Sequence, residues 1–317
     1  MACLALPLTA RGQSAPKTRR VGWLSAGSPQ SHARLLQVFR DAMRELGWVE
    51  GKNLALELRW AEGNLERLKP LAADLARTNP DVIVTAANVV HMAMRAETST
   101  IAIVMATGAD PIATGLVKSL AHPGGNVTGL TGFFEATPVK MLELAAALVP
   151  RGSRTTFLID SKSPFARGEY RPEIEQGARA FAFTVDYVMV ATGEEMARAV
   201  AEIGRKPPAV LIIPAGAMFF ALRDELVRRT AALKVPVIYP FEECVEVGGL
   251  MSYAVSLPES YRRAAGYVDK ILRGAKPAEL PIEQPTRLSL AVNLKTAKQL
   301  GISIPSSVLV RADRVIE

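Results

Sequence analysis

Residues 80–111 read PDVIVTAANVVHMAMRAETSTIAIVMATGADP, and the pattern of this stretch indicates the class of fold. Two short runs rich in β-branched residues, 82–85 and 101–105, flank a segment of helical length, which predicts a strand, a helix and a parallel strand. Small residues follow each run and leave backbone amides accessible. Open α/β sheets bind their ligands at such carboxyl ends of strands, so we expect a binding site there.

The same alternation of strands and helices continues on both sides of this stretch. Two strand–helix pairs are predicted before residue 80, and a helical segment at 111–122 precedes a predicted strand at 127–130. Near residues 131–137 the series starts again and runs to a strand at 235–239. The sequence therefore predicts an α/β protein with two doubly wound parallel-sheet lobes joined by hinge strands.

The elements after residue 247 predict that the chain crosses between the lobes more than once. They are a strand at 248–253, a helix at 261–273, an extended proline-rich segment at 276–285, a strand at 288–292 and a helix at 295–300. We expect residues 20–131 with about 248–280 to form lobe 1, and 132–247 with about 281–317 to form lobe 2. Several parallel hinge strands are expected between them.

Composition excludes several classes of function. The formal net charge of +7 permits an anionic partner, but Lys and Arg are spread over the predicted helices without a dense basic block interleaved with aromatics. Nucleic acid is therefore not an expected partner. Two cysteines and three histidines allow neither a disulfide framework nor a zinc site, so no metal and no cofactor is expected.

The N-terminal residues, MACLALPLTARG, have the apolar character of a secretory signal and end at a candidate cleavage site before Gln13. The basic segment that usually begins such a signal is missing. We expect residues 1–19 to be a truncated signal, with a disordered tail as the alternative, and the protein to be periplasmic. No later apolar run reaches the ~18 residues of a membrane span.

Rival functions on a doubly wound fold leave signatures that this sequence lacks. A dinucleotide-binding enzyme needs G-x-G-x-x-G after a strand, a P-loop protein needs G-x-x-x-x-G-K-[ST], and a hydrolase needs G-x-S-x-G. Cys244 lies between Glu243 and Glu246, whose charges raise the pKa of a thiol and make it a poor nucleophile. A transcription regulator would need a helix-turn-helix before residue 21. We therefore expect no catalysis.

Eight short stretches together resemble the substrate-binding proteins of ABC importers, specifically the tryptophan-type family with the type I periplasmic-binding-protein fold. They are residues 20–25 (RVGWLS), 45–53 (ELGWVEGKN), 59–63 (RWAEG), 108–111 (GADP), 121–130 (AHPGGNVTGL), 237–241 (VIYPF), 248–253 (GGLMSY) and 293–297 (NLKTA). This resemblance implies an exported two-lobed monomer that closes on a small ligand and delivers it to a membrane permease. The favoured ligand is an amino acid, in particular an aromatic one. The second candidate is a small carboxylate or another organic solute. A sensor that docks on a membrane receptor is the alternative.

Candidate ligand residues of lobe 1 follow its predicted strands. A ligand carboxylate would meet free amides at Ala87 and Asn88 and at Thr107 and Gly108, where a helix dipole favours an anion. The alternative is that these are ordinary strand-to-helix turns. Hydroxyl donors are also expected from two nearby serines, Ser25 and Ser28.

Candidate residues of lobe 2 follow the corresponding strands. They are Asp160 with Ser161 and Ser163, Ala215 between Pro214 and Gly216, Tyr239, and Glu242 with Glu243. An ammonium group leaving water needs a carboxylate partner, for which Glu243 or Asp110 is the candidate, with Asp160 behind them. Tyr239, Phe241 and Tyr253 are expected to pack on an apolar or aromatic ligand side chain, or else to pack within the hinge.

Overall fold

The computed structural model describes residues 18–132, 137–168, 170–284 and 288–317. Its strands form two sheets, and the runs of Val, Ile and Leu explain why, because strands of a parallel sheet are buried on both faces. The strands are β1 (Arg19–Ser25), β2 (Leu54–Trp60), β3 (Val82–Ala86), β4 (Ala102–Thr107), β5 (Val127–Gly129), β6 (Arg154–Asp160), β7 (Thr184–Val190), β8 (Val210–Ile212), β9 (Val237–Tyr239), β10 (Met251–Ala254), β11 (Ser289–Asn293) and β12 (Arg314–Ile316).

Helices connect these strands and cover the sheets. Most of them present one apolar face to a sheet, as the spacing of their hydrophobic residues predicts. The helices are α1 (Ala33–Glu45), α2 (Leu68–Arg77), α3 (Asn88–Glu97), α4 (Thr137–Leu148), α5 (Arg171–Ala180), α6 (Gly193–Arg205), α7 (Ala217–Ala221), α8 (Arg223–Ala231), α9 (Glu242–Glu246), α10 (Leu257–Leu272), α11 (Leu294–Leu300) and α12 (Ser306–Leu309).

The two sheets share one topology. The first has the order β2-β1-β3-β4-β5, and every pair in it is parallel. In the second, β7-β6-β8-β9-β10 repeats that order in parallel, and β11 and β12 extend the sheet beyond β10. The predicted pair of doubly wound lobes is confirmed. The expectation that the hinge strands are parallel is wrong for one pair, because β11 runs antiparallel to β10.

Each lobe receives a helix from the other side of the hinge. Helix α4 follows β5 of the first sheet but packs on β8 and β10 of the second, whereas α10 follows β10 but packs on α1, β3 and β4 of the first. The backbone of Glu283 then bridges to Leu130 in the first lobe before the chain enters β11 of the second. The chain therefore crosses between the lobes three times.

Three sequence expectations differ from the observed elements. Strand β10 lies in the second sheet, although residues 248–280 were expected in lobe 1, whereas α10 of the same range does pack on the first sheet. The rest of the division into lobes stays a prediction. Residues 111–122 form turns and no α-helix, and the single helix that the alternation predicts before the strand at 235–239 is split into α7 and α8 at Leu222.

Buried side chains join the two lobes into one body. The ring of Trp23 on β1 stacks on Tyr261 of α10 with centroids 5.1 Å apart, which holds the returning helix on the first sheet. Buried side chains of both sheets, such as Val104 and Leu211, belong to one connected apolar cluster. Within the described ranges, no helix combines the length and the apolar character that crossing a membrane requires.

Candidate functional site

A cavity of about 160 Å³ lies between the lobes, where the carboxyl ends of both sheets face each other. The ends of β3 and β4 and the loop after β1 form one wall, and the segments after β6, β8 and β9 form the other. Of the residues selected from the sequence, those that line it include Ala87, Asn88, Thr107, Gly108, Asp160 and Ala215, together with Ser163, Phe241 and Tyr253. The cavity is therefore at the edge that the strand pattern indicated.

The first-lobe wall is built around the start of α3. Ala87 turns the chain from β3 into this helix with φ 70° and ψ 143°, and its amide donates to the carbonyl of Thr107 at 3.1 Å. The first amides of a helix have no acceptor within the helix, so those of Asn88 and Val89 remain available to a ligand at the positive end of the helix dipole. The Asn88 side chain is occupied, since its Oδ1 accepts from the Ala109 amide at 2.7 Å.

A buried histidine stabilises this wall by hydrogen bonds. The ring nitrogens of His91 lie 2.8 Å from Thr85 Oγ1 and 2.9 Å from the carbonyl oxygen of Thr107, which ties α3 to β3 and β4. Burial lowers the pKa of His91 to about 4, so the ring is neutral at physiological pH. A Cβ on residue 108 would lie 2.5 Å from His91 Nε2, which explains why glycine stands at position 108.

The second-lobe wall contains one buried acid, Asp160 at the end of β6. Its side chain accepts hydrogen bonds from the amides of Lys162 at 2.9 Å and Met218 at 3.2 Å. Burial raises the pKa of Asp160, while the two amide bonds work in the opposite direction. Gly216 lets α7 approach, because a Cβ there would lie 2.5 Å from the Asp160 Cβ.

Ser163 adds a polar group to the same wall. Its Oγ is buried and has no hydrogen-bond partner among the described residues. A buried hydroxyl without a hydrogen-bond partner destabilises the protein, so a ligand that supplied a partner for Ser163 would bind more tightly.

Aromatic side chains from both lobes form the remaining wall. The ring of His32 in lobe 1 packs against the ring of Phe220 on α7, with their centroids 4.8 Å apart. The centroids of Phe220 and Phe241 are 5.1 Å apart. Tyr253 and Tyr261 also line the cavity. This wall suits a large apolar or aromatic group.

His32 contributes a ring and no free polar atom to that wall. Its Nε2 lies 3.1 Å from Ser25 Oγ and its Nδ1 lies 2.9 Å from Ser31 Oγ. Burial, and then the positive charge of Arg223, lower the pKa of His32 to about 3. The ring is therefore uncharged at neutral pH.

Three of the selected polar residues lie close to the cavity without lining it. The Ser25 hydroxyl is engaged with His32 and also accepts from the Gly27 amide at 3.1 Å. Ser28 Oγ accepts from the Ser31 amide, and Asp110 Oδ1 accepts from the Ile112 amide at 2.8 Å, so both stabilise local turns.

Tyr239 and Glu243 also lie outside the cavity lining. The Tyr239 hydroxyl is 2.6 Å from Thr230 Oγ1 in the core of lobe 2, because the alternation of side chains along β9 directs this residue towards α8. Glu243 is buried on α9. Of the three candidate counter-ions, the cavity lining contains Asp160 and neither Asp110 nor Glu243.

The sequence reasoning missed several lining residues. Lys162, Phe220 and Tyr261 all line the cavity. The position of Lys162 directly after β6 was a usable signal, and so was the aromatic pair at 219–220 after β8. For Tyr261 no local signal exists, because α10 comes from a different part of the chain and packs on the opposite lobe.

The described residues hold no cluster of three or more His, Cys, Asp or Glu side chains that could bind a metal ion. Cys244 is a free buried thiol whose pKa is raised by burial and then by the Glu243 charge. It is not a cavity residue.

The chain is similar to several proteins of known structure or name. The crystal structure of an ABC domain in complex with L-Trp from Streptococcus pneumonia is 26% identical, covers 95% of this chain and 100% of its own, and superimposes with a TM-score of 0.84. A conserved domain protein from Vibrio cholerae is 26% identical with a TM-score of 0.84, covering 94% of this chain and 100% of its own.

A curated relative, the tyrosine-binding protein of Clostridioides difficile, is 22% identical over 275 residues, which are 83% of this chain and 75% of the relative. The model of the ABC transporter substrate-binding protein family matches residues 28–316. This match covers nearly the whole chain, as do the two structural similarities. The chain belongs to the ABC transporter substrate-binding protein family.

Proposed function

We propose that this substrate-binding protein holds an L-α-amino acid with an aromatic side chain in the cavity between its lobes. It would act as an exported, periplasmic monomer that delivers this ligand to the permease of its ABC transporter, without catalysis. Two relatives are described as tyrosine-binding or as complexed with L-Trp, which supports this ligand class.

One observation carries the proposal: each wall of the cavity supplies a partner for one charge of a zwitterion. Lobe 1 offers the first amides of α3, at Asn88 and Val89, to a negative group, and lobe 2 offers the Asp160 carboxylate to a positive one. An amino acid at neutral pH carries both charges about one carbon apart. Burying either charge without a partner is costly, so the two walls together select a zwitterion.

The aromatic wall accounts for the ligand side chain. The rings of Phe220, Phe241 and Tyr261 present apolar surface, and the nitrogens of His32 are already hydrogen-bonded. A ligand ring in contact with these rings would gain about 0.5–1.5 kcal/mol beyond its buried area. An aliphatic side chain would lack this contribution.

Isothermal titration calorimetry with aromatic amino acids, with the amine tryptamine and with the acid indole-3-propionate tests the ligand class. We expect L-tryptophan, L-tyrosine or L-phenylalanine to bind, and tryptamine and indole-3-propionate to bind at least about tenfold more weakly, because each leaves one wall without a partner. Equal affinity for all three indole compounds would contradict a zwitterion site. Absence of binding by every aromatic amino acid would contradict the ligand class.

Replacement of the cavity acid tests its role directly. Asp160→Asn keeps the shape of the side chain but removes its charge, so L-tryptophan affinity should fall about tenfold to a thousandfold. Asp110→Asn is the matched control, because Asp110 lies in a turn outside the cavity lining and asparagine also stabilises such turns. Equal losses in the two variants would show that Asp160 is not the ammonium partner.

A further inference from the structure

Helix α9 belongs to the second lobe but lies at the boundary with the first. Arg34 on α1 forms an ion pair with Glu246 on α9, which joins the lobes outside the cavity. Phe241, immediately before α9, contacts Phe220, which in turn contacts His32 of lobe 1. Residues on α9 therefore change surroundings when the lobes separate.

Glu243 is the buried acid of this helix. The residue is 6% exposed, and its Oε1 has no hydrogen-bond partner among the described residues. A hydrogen bond from its own backbone amide favours the carboxylate, but burial with one oxygen unpaired outweighs it, whereas the protonated carboxyl group is neutral and tolerates this environment.

The charged groups around Glu243 do not relieve this cost. On its own helix, Glu242 and Glu246 repel a negative charge at Glu243. Arg34 on α1 is the cation that favours such a charge, but its guanidinium is bonded to Glu246. Arg314 on β12 is likewise bonded to Glu242 and Glu246.

The remaining titratable groups of this region either are neutral or act on Cys244 and not on the Glu243 carboxyl. Tyr261 on α10 faces it with a phenol whose pKa is raised by burial and by the Glu243 charge. Cys244 beside it is a neutral thiol, and Arg223 and Asp224 of α8 act on that thiol. The sum of these surroundings, with burial as the largest cause, raises the pKa of Glu243 to about 7.

We propose that closure of the two lobes over a ligand takes up one proton at Glu243. Opening would move α9 away from Arg34 on α1 and Tyr261 on α10, and would let water reach the carboxyl. The carboxyl is then free to ionise in the open state and is protonated in the closed one. Glu243 thereby acts on affinity from outside the cavity, by its effect on the open–closed equilibrium.

The sign of the pH dependence follows from these two states. In the closed state the pKa of Glu243 is about 7, and in water it returns towards the ordinary value of about 4.3. The closed state is therefore favoured by this group below about pH 4.3, and the advantage is lost as pH rises to about 7. Ligand affinity should fall over this interval and become level above it.

Titration of L-tryptophan by calorimetry in two buffers of different ionisation enthalpy measures the proton directly. At about pH 6 we expect the wild-type protein to take up close to one proton per ligand through this group, and Glu243→Gln to take up none through it. Relative to Glu243→Gln, the wild-type dissociation constant should rise about thirtyfold from about pH 5.5 to about pH 8. Asp160 and His32 are common to both proteins, so this ratio cancels their titrations.

Glu225→Gln is the matched control, because Glu225 lies on α8 of the same lobe in an ion pair with Arg229 and does not act on the Glu243 carboxyl. It should keep the wild-type pH slope. An equal pH slope in wild type and Glu243→Gln would overturn the proposal. Weaker binding by Glu243→Gln at every pH would also overturn it and would identify Glu243 as a lost counter-ion.

The inference relies on closure around a ligand, so a measurement without ligand separates it from the proposed ligand class. Small-angle scattering of the ligand-free proteins at about pH 8 should show Glu243→Gln as the more compact, and at about pH 5.5 the difference should be smaller. If no aromatic amino acid gave a calorimetric signal but scattering still showed Glu243→Gln as the more compact protein, only the proposed ligand class would be rejected. Identical scattering at both pH values would reject proton-linked closure.

Discussion

Ala87 has a backbone conformation that residues with a side chain rarely adopt. With φ 70° and ψ 143°, it directs its carbonyl to the amides of Val90 and His91 while its own amide donates to Thr107. This geometry aims the first amides of α3 at the cavity. Such conformations cost about 1–3 kcal/mol and occur where the surrounding structure enforces them.

Ala87→Gly should therefore increase the free energy of unfolding by about 1 kcal/mol, because glycine adopts this conformation without the steric cost. Urea denaturation monitored by circular dichroism measures the change. Ala201→Gly provides the control, since Ala201 is an exposed residue in the interior of α6. There the substitution should lower stability by about 0.5–1 kcal/mol, and a similar loss at position 87 would contradict the strain argument.

Strand β5 is an element whose position depends on a glycine. Gly129 has φ +120°, and a Cβ there would lie 2.3 Å from the carbonyl oxygen of Met105 on β4. The strand ends at this residue, just before the chain first crosses to the second lobe. The close approach of the two backbones thus fixes where the hinge begins.

Gly129→Ala should lower the free energy of unfolding by about 3 kcal/mol or more, because the added carbon collides with backbone atoms that cannot move aside without breaking the sheet. Thermal and urea unfolding both report this loss. Gly125→Ala, in the loop before β5, has open space around the added carbon and should remain within about 0.5 kcal/mol of wild type. If the two variants were equally stable, the close contact would not be a constraint.

The segment at 111–122 shows how a left-handed residue ends a helical pattern after one turn. The Asp110 carboxylate accepts from the amides of Ile112 and Ala113, as an N-cap residue does at the start of a helix. Gly115 then adopts φ +72°, which a right-handed helix does not allow. Two apolar residues of this segment, Leu116 and Val117, are buried although the segment forms no α-helix.

At the scale of the whole molecule, contacts between lobes set the balance between open and closed forms. The ion pair of Arg34 with Glu246 and the ring contact of His32 with Phe220 both join lobe 1 to lobe 2. A ligand that touches both walls adds to these contacts and favours the closed form.

Arg34→Ala removes the ion pair between the lobes and should weaken L-tryptophan binding by up to about fivefold at low salt, since partly exposed pairs contribute about 0.2–1 kcal/mol. Calorimetry at low and high salt measures this, and the difference should shrink as salt screens the pair. Arg262→Ala is the control, because Arg262 pairs with Glu45 inside lobe 1. Equal effects of the two substitutions would show that the Arg34 pair does not act on closure.

Local patterns of the sequence were enough to predict the two doubly wound lobes, the repeat of their architecture and the edge at which the cavity lies. The reason is that periods of two and 3.6 residues report which faces are buried, and parallel strands place their carboxyl ends at one edge. The same reasoning placed Ala87, Asn88, Thr107 and Gly108 at this edge, since they lie at or directly after the ends of β3 and β4.

Only the tertiary structure decided which acid faces the cavity and which aromatic rings surround it. Asp110, Asp160 and Glu243 all follow strands, and the sequence does not distinguish them. A turn engages Asp110, a short helix buries Glu243 between the lobes, and Asp160 alone of the three lines the cavity as described. Tyr261 reaches it because α10 crosses back to the first lobe, and such contacts depend on the path of the whole chain and not on local spacing.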